Sequence, residues 1–354
     1  MDKFRINSHK MNYHLDRVNR WSKGENVYPI YMEISPSNAC NHRCTFCAFE
    51  YREYKWRFLE TKRLKEILSE MGQLGVKSVM YAGEGEPFLH KDMPEIINHT
   101  KESGIDVAVA TNGALFTPEV IDRCLGSFSW ARISIGGGTR ETHNKIHQCP
   151  EGDFDKILDH MAYAVKVRNK NKYPCALGFQ FLLLPENKDE VFSFAHRAKE
   201  IGVDYLIVKP FIRHLMSAHE IDKSFRYSDM LSKMEALEKM SDDKFNIIFR
   251  INVMRKVESP ERNYKRCLGL PFFTEIAANG GVYTCGPHLG DDKFCYGNIY
   301  ENSFKEIWEG EKRKEVLKMI EGMDVEKCMK SCRIDEVNKY LWDLKNPPPH
   351  MNFI

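Results

Sequence analysis

No long apolar run interrupts this sequence of 354 residues, and neither sign of charge dominates it. The opening stretch MDKFRINSHKMNYHLDRVNR is polar and mixed in charge, so it reads as neither a secretory signal peptide nor a transmembrane helix. Lys plus Arg number 52 against 50 Asp plus Glu, a formal net charge of +2, which gives no electrostatic reason to expect nucleic acid or an anionic membrane as partner. Internal repeats and low-complexity tracts are missing too. What the chain does have is cysteine. Eleven cysteines without a secretory signal argue against a disulfide framework, and clustered thiols in a reducing compartment more often bind metal. The expected location is the cytoplasm.

From about residue 30 to 210, apolar strand-like runs alternate with helix-period runs. Strands are expected at 28–35, 76–82, 105–110, 130–135, 175–184 and 203–210. Between them, TKRLKEILSEMGQLG (61–75) carries Leu64, Ile67, Leu68, Met71 and Leu74 on one face of a helix. Further helices are expected near 92–103, from Thr117, at 154–170 and at 188–201. Repeated βα units imply parallel strands with right-handed crossovers. Six units fall short of the eight in a closed barrel, so the expected fold is α/β, an open partial (β/α)6 TIM-type barrel, with a doubly wound sheet as the alternative. After about 255, glycines, cysteines and aromatics crowd into 265–300 and a helix is expected over 303–321. The expected organisation is an N-terminal extension (1–27), the barrel (28–255), a small metal-stapled domain (256–340) and a tail (341–354) whose NPPPHMNFI cannot continue a helix.

CNHRCTFC (40–47) places Cys40, Cys44 and Cys47 just past the first expected strand, at the end of a parallel barrel where active sites gather. Thiolates are soft ligands for zinc or iron–sulfur clusters. Zinc knuckles bring paired CxxC units and four ligands. Here no fourth ligand stands nearby. Three close thiols suit a cubane with three irons held by protein and one left open.

The same stretch resembles the CxxxCxΦC motif of radical S-adenosylmethionine (radical SAM) enzymes, with Phe46 in the aromatic position. The resemblance implies a [4Fe–4S] cluster on the three cysteines, with SAM as the missing ligand of the open iron. Its reductive cleavage would give a 5′-deoxyadenosyl radical that abstracts hydrogen from substrate. YAGEGEPFL (81–89) is similar to the family's GGE segment. Gly83, Gly85 and Glu86 would line the SAM site, with Glu84 where a glycine often stands. Thr111 and Asn112 in ATNGALF would line the pocket near SAM. In ISIGGGTRETHNKIH, Ser134 matches a Ser-hydrophobic-Asp segment and could reach a ribose hydroxyl, whereas Gly136 replaces the acid.

The C-terminal region holds Cys267, Cys285, Cys295, Cys328 and Cys332. It looks like the SPASM or twitch extension of radical SAM enzymes, which carries auxiliary [4Fe–4S] clusters. Five cysteines allow one fully ligated cubane, which favours the twitch type with Cys267, Cys285, Cys328 and Cys332 as ligands and Cys295 spare. Cys295 could also replace one of the four, and a structural zinc fits four cysteines by count. Cys124, Cys149 and Cys175 read as ordinary buried cysteines.

The resemblance implies a small polyol or carbohydrate-like substrate oxidised with help from the auxiliary cluster, and an electron donor such as flavodoxin or ferredoxin. KPFIRHL (209–215) ends the sixth strand facing the expected pocket. Lys209, Arg213 and His214 could hold an anionic or hydroxyl-rich substrate, and Lys209 or His214 could take its proton. Beside the remote one of a non-enzymatic iron–sulfur or zinc protein, two other readings stay open. One is peptide modification, although the roughly thirty residues before the first strand are too few for a leader-binding winged helix. The other is inversion of a stereocentre, with Cys295 returning hydrogen.

Overall fold

The computed structural model describes residues 4–6, 8–217, 219–222, 224–259 and 261–353. All six expected strands form: β1 (Tyr31–Ile34), β2 (Ser78–Tyr81), β3 (Asp106–Thr111), β4 (Phe128–Ile135), β5 (Ala176–Leu183) and β6 (Tyr205–Pro210). Each pairs in parallel with the next. Helices join them in the right-handed βα manner; Thr61–Gln73, for example, buries Leu64, Ile67, Leu68 and Met71 against the sheet. Because the strand order runs in sequence from β1 to β6, with no reversal, the doubly wound alternative is ruled out.

The sheet is longer than six strands. β7 (Asn246–Phe249) adds in parallel beyond β6. On the other side β8 (Phe273–Ile276) pairs in parallel with β1, and β9 (Gly281–Tyr283) and β10 (Cys295–Asn298) continue it antiparallel. The C-terminal module therefore extends the barrel sheet, rather than standing apart from it. The expected helix over 303–321 is two, Phe304–Glu309 and Glu311–Glu321, because Gly310 is extended between them. A final helix, Asp335–Lys345, crosses the expected start of the tail and ends just before the prolines. The N-terminal extension holds a helix at Leu15–Ser22.

Alternation along the strands defines an inner face. Ala131, Ile133 and Ile135 of β4, Leu177, Phe179, Phe181 and Leu183 of β5, and Leu206 and Val208 of β6 belong to the main core beneath the helices. Their neighbours Arg132, Ser134, Gln180 and Lys209 therefore point the other way, into the barrel lumen. At the N-terminal ends of β6 and β7, Phe4 and Ile6 pack against Tyr205, Ile207 and Ile248, which closes that mouth with apolar side chains.

Candidate active site

The loop after β1 carries Cys40, Cys44 and Cys47, each partly buried. A turn closes by Cys47 N–H donating to Cys44 O at 3.0 Å. The Arg43 guanidinium donates to Cys40 O at 2.6 Å and His42 O at 2.7 Å. Burial pushes the Cys40 thiol up to about 12 and Cys44 well above its ordinary value. Three thiols on one short loop, soft ligands with the burial of two of them opposing a bare thiolate, fit an iron–sulfur group.

The loop is bolted to the ends of β2 and β3. Glu86 N donates to Ala39 O at 2.7 Å. The Glu86 carboxylate accepts from Thr111 Oγ1 at 2.6 Å, Asn112 N at 2.9 Å and Phe88 N at 3.1 Å. Burial raises its pKa and these three donors oppose the rise. Asn112 Nδ2 donates to Asn41 Oδ1 at 2.8 Å, between two of the cysteines. Gly85 has φ +72°, and a Cβ there would lie 2.3 Å from Ser37 O and 2.5 Å from Ala39 O. Gly83 has φ +97° and would put a Cβ 2.2 Å from Ser35 Oγ. Gly83, Gly85, Glu86, Thr111 and Asn112, expected to line the SAM site, thus make a bracket that fixes the cysteine loop. Ser134 faces the lumen one strand further on. Gly136 stands where the acid was missed because a Cβ there would meet His147 Cδ2 at 2.5 Å and Ile146 Cγ2 at 2.9 Å. Phe46 packs beside Ile146, Leu182, Leu184 and Phe211.

Sequence reasoning passed over two groups. Glu84 is buried, and its Oε2 accepts from Asn38 Nδ2 at 2.7 Å and Arg52 Nε at 3.0 Å, while Oε1 accepts from Ala278 N at 2.9 Å. One carboxylate thus joins the cysteine loop to the C-terminal module. The second group is a buried chain of Asp153, His42 and His147. His42 Nε2 lies 3.1 Å from Asp153 Oδ2, His42 Nδ1 lies 3.4 Å from His147 Nδ1, and His147 Nδ1 lies 3.6 Å from Cys44 Sγ. A carboxylate only accepts, so His42 donates through Nε2 and its Nδ1 is a lone pair. The hydrogen between the two imidazoles then belongs to His147 Nδ1, aimed at His42 and at the Cys44 sulfur. Burial keeps the His147 pKa well below its ordinary value. Asn41, His42 and Asp153 carried no signal except that two of them interrupt the cysteine motif.

In the C-terminal module, Cys267, Cys285, Cys328 and Cys332 line one cavity, together with Tyr264, Leu270, Phe294, Ile320 and Ile334. Asn338 Nδ2 donates to Cys267 Sγ at 3.6 Å and Thr284 Oγ1 to Cys285 Sγ at 3.6 Å. Arg262 ties down the loop before Cys332 through Val325 O, Cys328 O and Met329 O. Four thiols around a largely apolar cavity suit a cluster held by soft ligands. Cys295 is elsewhere. Its thiol donates to Gly297 O at 3.3 Å in its own strand and packs with Phe49, Ala277, Tyr283 and Leu289. It lines neither that cavity nor the lumen face defined above.

His214 sits where the cysteine loop meets the C-terminal module, stacked on Tyr51 at 5.2 Å. Its Nδ1 accepts from Met216 N at 3.1 Å and its Nε2 lies 3.3 Å from Gly286 O, so both ring nitrogens are engaged and neither is a free base. Arg213 is exposed and paired with Glu220 at 2.5 Å. Lys209 points into the lumen near Arg132, Arg250, Arg333 and Glu33, where burial and the three guanidiniums push its pKa down to about 7. Cys124 and Cys175 are buried core residues and Cys149 is partly buried.

An open parallel barrel that holds three thiols over a polar lumen, backed by a second nest of thiols, is the build of a radical SAM enzyme. The comparisons agree: residues 34–198 match the radical SAM superfamily, and residues 267–334 match the iron–sulfur cluster-binding domain called SPASM. These two domains imply a SAM-binding [4Fe–4S] cluster, an auxiliary iron–sulfur centre and SAM. The chain is 27% identical over 327 residues to an AdoMet-dependent heme synthase of Methanosarcina barkeri, covering 85% of this chain and 86% of the relative. A probable GTP 3′,8-cyclase of Saccharolobus islandicus is 28% identical over 215 residues, 59% of this chain and 65% of the cyclase. Among solved structures, Streptococcus suis SuiB bound to its precursor peptide SuiA superposes with a TM-score of 0.68 at 17% identity, over 96% of this chain and 78% of SuiB. Among the described residues, no helix is long and apolar enough to cross a membrane.

Proposed function

We propose that this chain cleaves SAM reductively and uses the 5′-deoxyadenosyl radical to take hydrogen from a small molecule seated in the barrel lumen, leaving that molecule oxidised. When bound, the cluster at Cys40, Cys44 and Cys47 supplies the electron for cleavage. The observation that carries the small-molecule reading is the lumen itself. It is sealed below by Phe4 and Ile6 and lined above by Arg132, Ser134, Gln180 and Lys209. The sequence relatives, a heme synthase and cyclases of GTP, carry the names of small-molecule enzymes. Loss of a hydrogen atom, an electron and a proton makes the product two hydrogens poorer. The four-thiol cavity supports a single auxiliary cluster, the twitch type, as an electron acceptor of the right class. Lys209 is the better proton acceptor: it faces the lumen and its pKa lies at about 7, whereas both His214 nitrogens are engaged. Cys295, packed against Phe49 and Leu289, is poorly placed to return hydrogen in an inversion.

The test is anaerobic turnover with SAM and a reductant in deuterated buffer, against a panel of small molecules and acidic and neutral peptides. Release of 5′-deoxyadenosine with a product two mass units lighter is expected. Carbon-bound deuterium at unchanged oxidation level would mean inversion. Modification of peptides alone would overturn the small-molecule reading.

A further inference from the structure

The lumen carries more cationic than anionic side chains, and among them Arg132 forms no ion pair. Arg132 lies between Ala131 and Ile133, whose side chains face the helices, so its own points inward. It forms no ion pair among the described residues, its Nε has no hydrogen-bond partner, and its guanidinium lies 5.0 Å from the Trp130 ring centroid. Arg333 enters from the C-terminal module, lies 6.0 Å over the Tyr31 ring and pairs with Glu33. Arg250 follows β7, and Lys209 stands on β6 close enough to both arginines and to Arg250 to feel their charge.

Two carboxylates oppose these groups. Glu33 is engaged by Arg333 and by the Tyr31 hydroxyl, which donates at 2.6 Å. Glu275 has its pKa raised, by burial first and by the neighbouring Glu33 second. Among the described residues, Arg132 is left with no carboxylate paired to it. An enclosed unpaired charge is costly; burial lowers the pKa of both Arg132 and Lys209, and neighbouring guanidiniums add to the lowering. Yet Arg132, Lys209 and Arg333 all keep accessible surface, so space remains beside them.

We propose that the lumen binds its substrate through an anionic group, a carboxylate or a phosphate, seated on the Arg132 guanidinium with Arg333 beside it. This rests on the small-molecule reading above and sharpens it, since a neutral polyol would leave the charge uncompensated. A planar guanidinium presents paired donors that match both kinds of oxyanion, and an anion there supplies the counter-charge that Arg132 lacks.

The experiment is calorimetric titration of the holoenzyme, in the presence of SAM and at low salt, with pyrophosphate, tricarballylate or myo-inositol. One of the two anions is expected to bind, pyrophosphate marking a phosphate site and tricarballylate a carboxylate site, and myo-inositol is not. Arg132→Gln should weaken binding about 10-fold or more, and Arg132→Lys should recover part of it by restoring charge without the fork. Iron content and cooperative unfolding of each variant separate lost binding from lost fold. Failure of both anions to bind, wild-type affinity in Arg132→Gln, or displacement of the anion by myo-inositol overturns the proposal. Release of 5′-deoxyadenosine by the wild type is measured on the same preparation. Release without anion binding removes this inference alone; no release removes the functional reading beneath it.

Discussion

Glu33 of β1 and Glu275 of β8 stand directly opposite each other in the parallel pairing that joins the barrel to the C-terminal module. Burial, and after it the like charge of Glu33, hold the Glu275 pKa well above the ordinary carboxylate range. In the unfolded chain it ionises near its ordinary value. Above that value the folded state binds more protons at this site, and stability falls as pH rises through the window up to the folded pKa. Glu275→Gln removes that dependence. Its unfolding midpoint should match or exceed wild type at pH 7 and vary less between pH 5 and 8 (roughly the range in which such groups act). A midpoint several degrees lower at pH 7 would show that Glu275 is ionised and useful there.

Glu84→Ala strips the partner from Asn38, Arg52 and Ala278 N–H at one stroke. Removing one side of a buried charged network costs about 3–5 kcal/mol. Arg52 is partly exposed, so the lower end of that range is expected. Denaturant unfolding of the holoenzyme measures it. A loss under about 0.5 kcal/mol would be that of an ordinary surface site and would show that the carboxylate does not tie the two regions together.

Hydrogen bonds to the ligating sulfurs help set the potential of an iron–sulfur cluster. The His147 N–H aimed at Cys44 stabilises negative charge on that sulfur, so His147→Phe should lower the reduction potential of the N-terminal cluster. Asp153→Asn, which frees the tautomer of His42, should shift it the same way by less. Redox titration followed by electron paramagnetic resonance reads both. An unchanged potential in His147→Phe would mean that the 3.6 Å approach is packing only.

Two cubanes give about eight irons per chain after anaerobic reconstitution. Changing Cys40, Cys44 and Cys47 together to Ala should remove about half. Cys295→Ala should keep the full complement, since its thiol bonds to Gly297 O outside the four-cysteine cavity. Zinc in that cavity, with about four irons in all, would replace the cluster with a structural metal.

The six strands were legible as short apolar runs between helix-period stretches, but which face turns inward was not read from them, although β4 alternates in burial and carries Arg132 on its less buried side. Arg132 in ARISI and Glu33 in YMEIS are the same kind of signal as Lys209, a charge inside an apolar strand, but only Lys209 drew notice, because it stood beside other polar residues at a strand end. β7 and β8 escaped because NIIF and FTEI are four residues long, too short to show a period. The GEGEP segment stood out for its glycines. Its contacts could not be foreseen: Gly85 makes room for backbone from residues 37–39, and Glu86 for donors on β3, both distant in sequence. His214 looked free because nothing local showed that Gly286 and Met216 would occupy its ring.

The place of β1 in the sheet has a consequence for how the protein is made. Its edges are covered by β2 and by β8, and β8 begins more than two hundred residues further along the chain. At ribosomal rates that is a wait on the order of ten to fifty seconds, during which β1 has one open edge and the cysteine loop that follows it lacks its Ala278 anchor. An open parallel edge invites pairing with a stranger. The nascent barrel is therefore open to mispairing until β8 arrives, and a chain cut after about residue 255 would keep that open edge for good and is expected to emerge as an aggregate whatever iron it is offered.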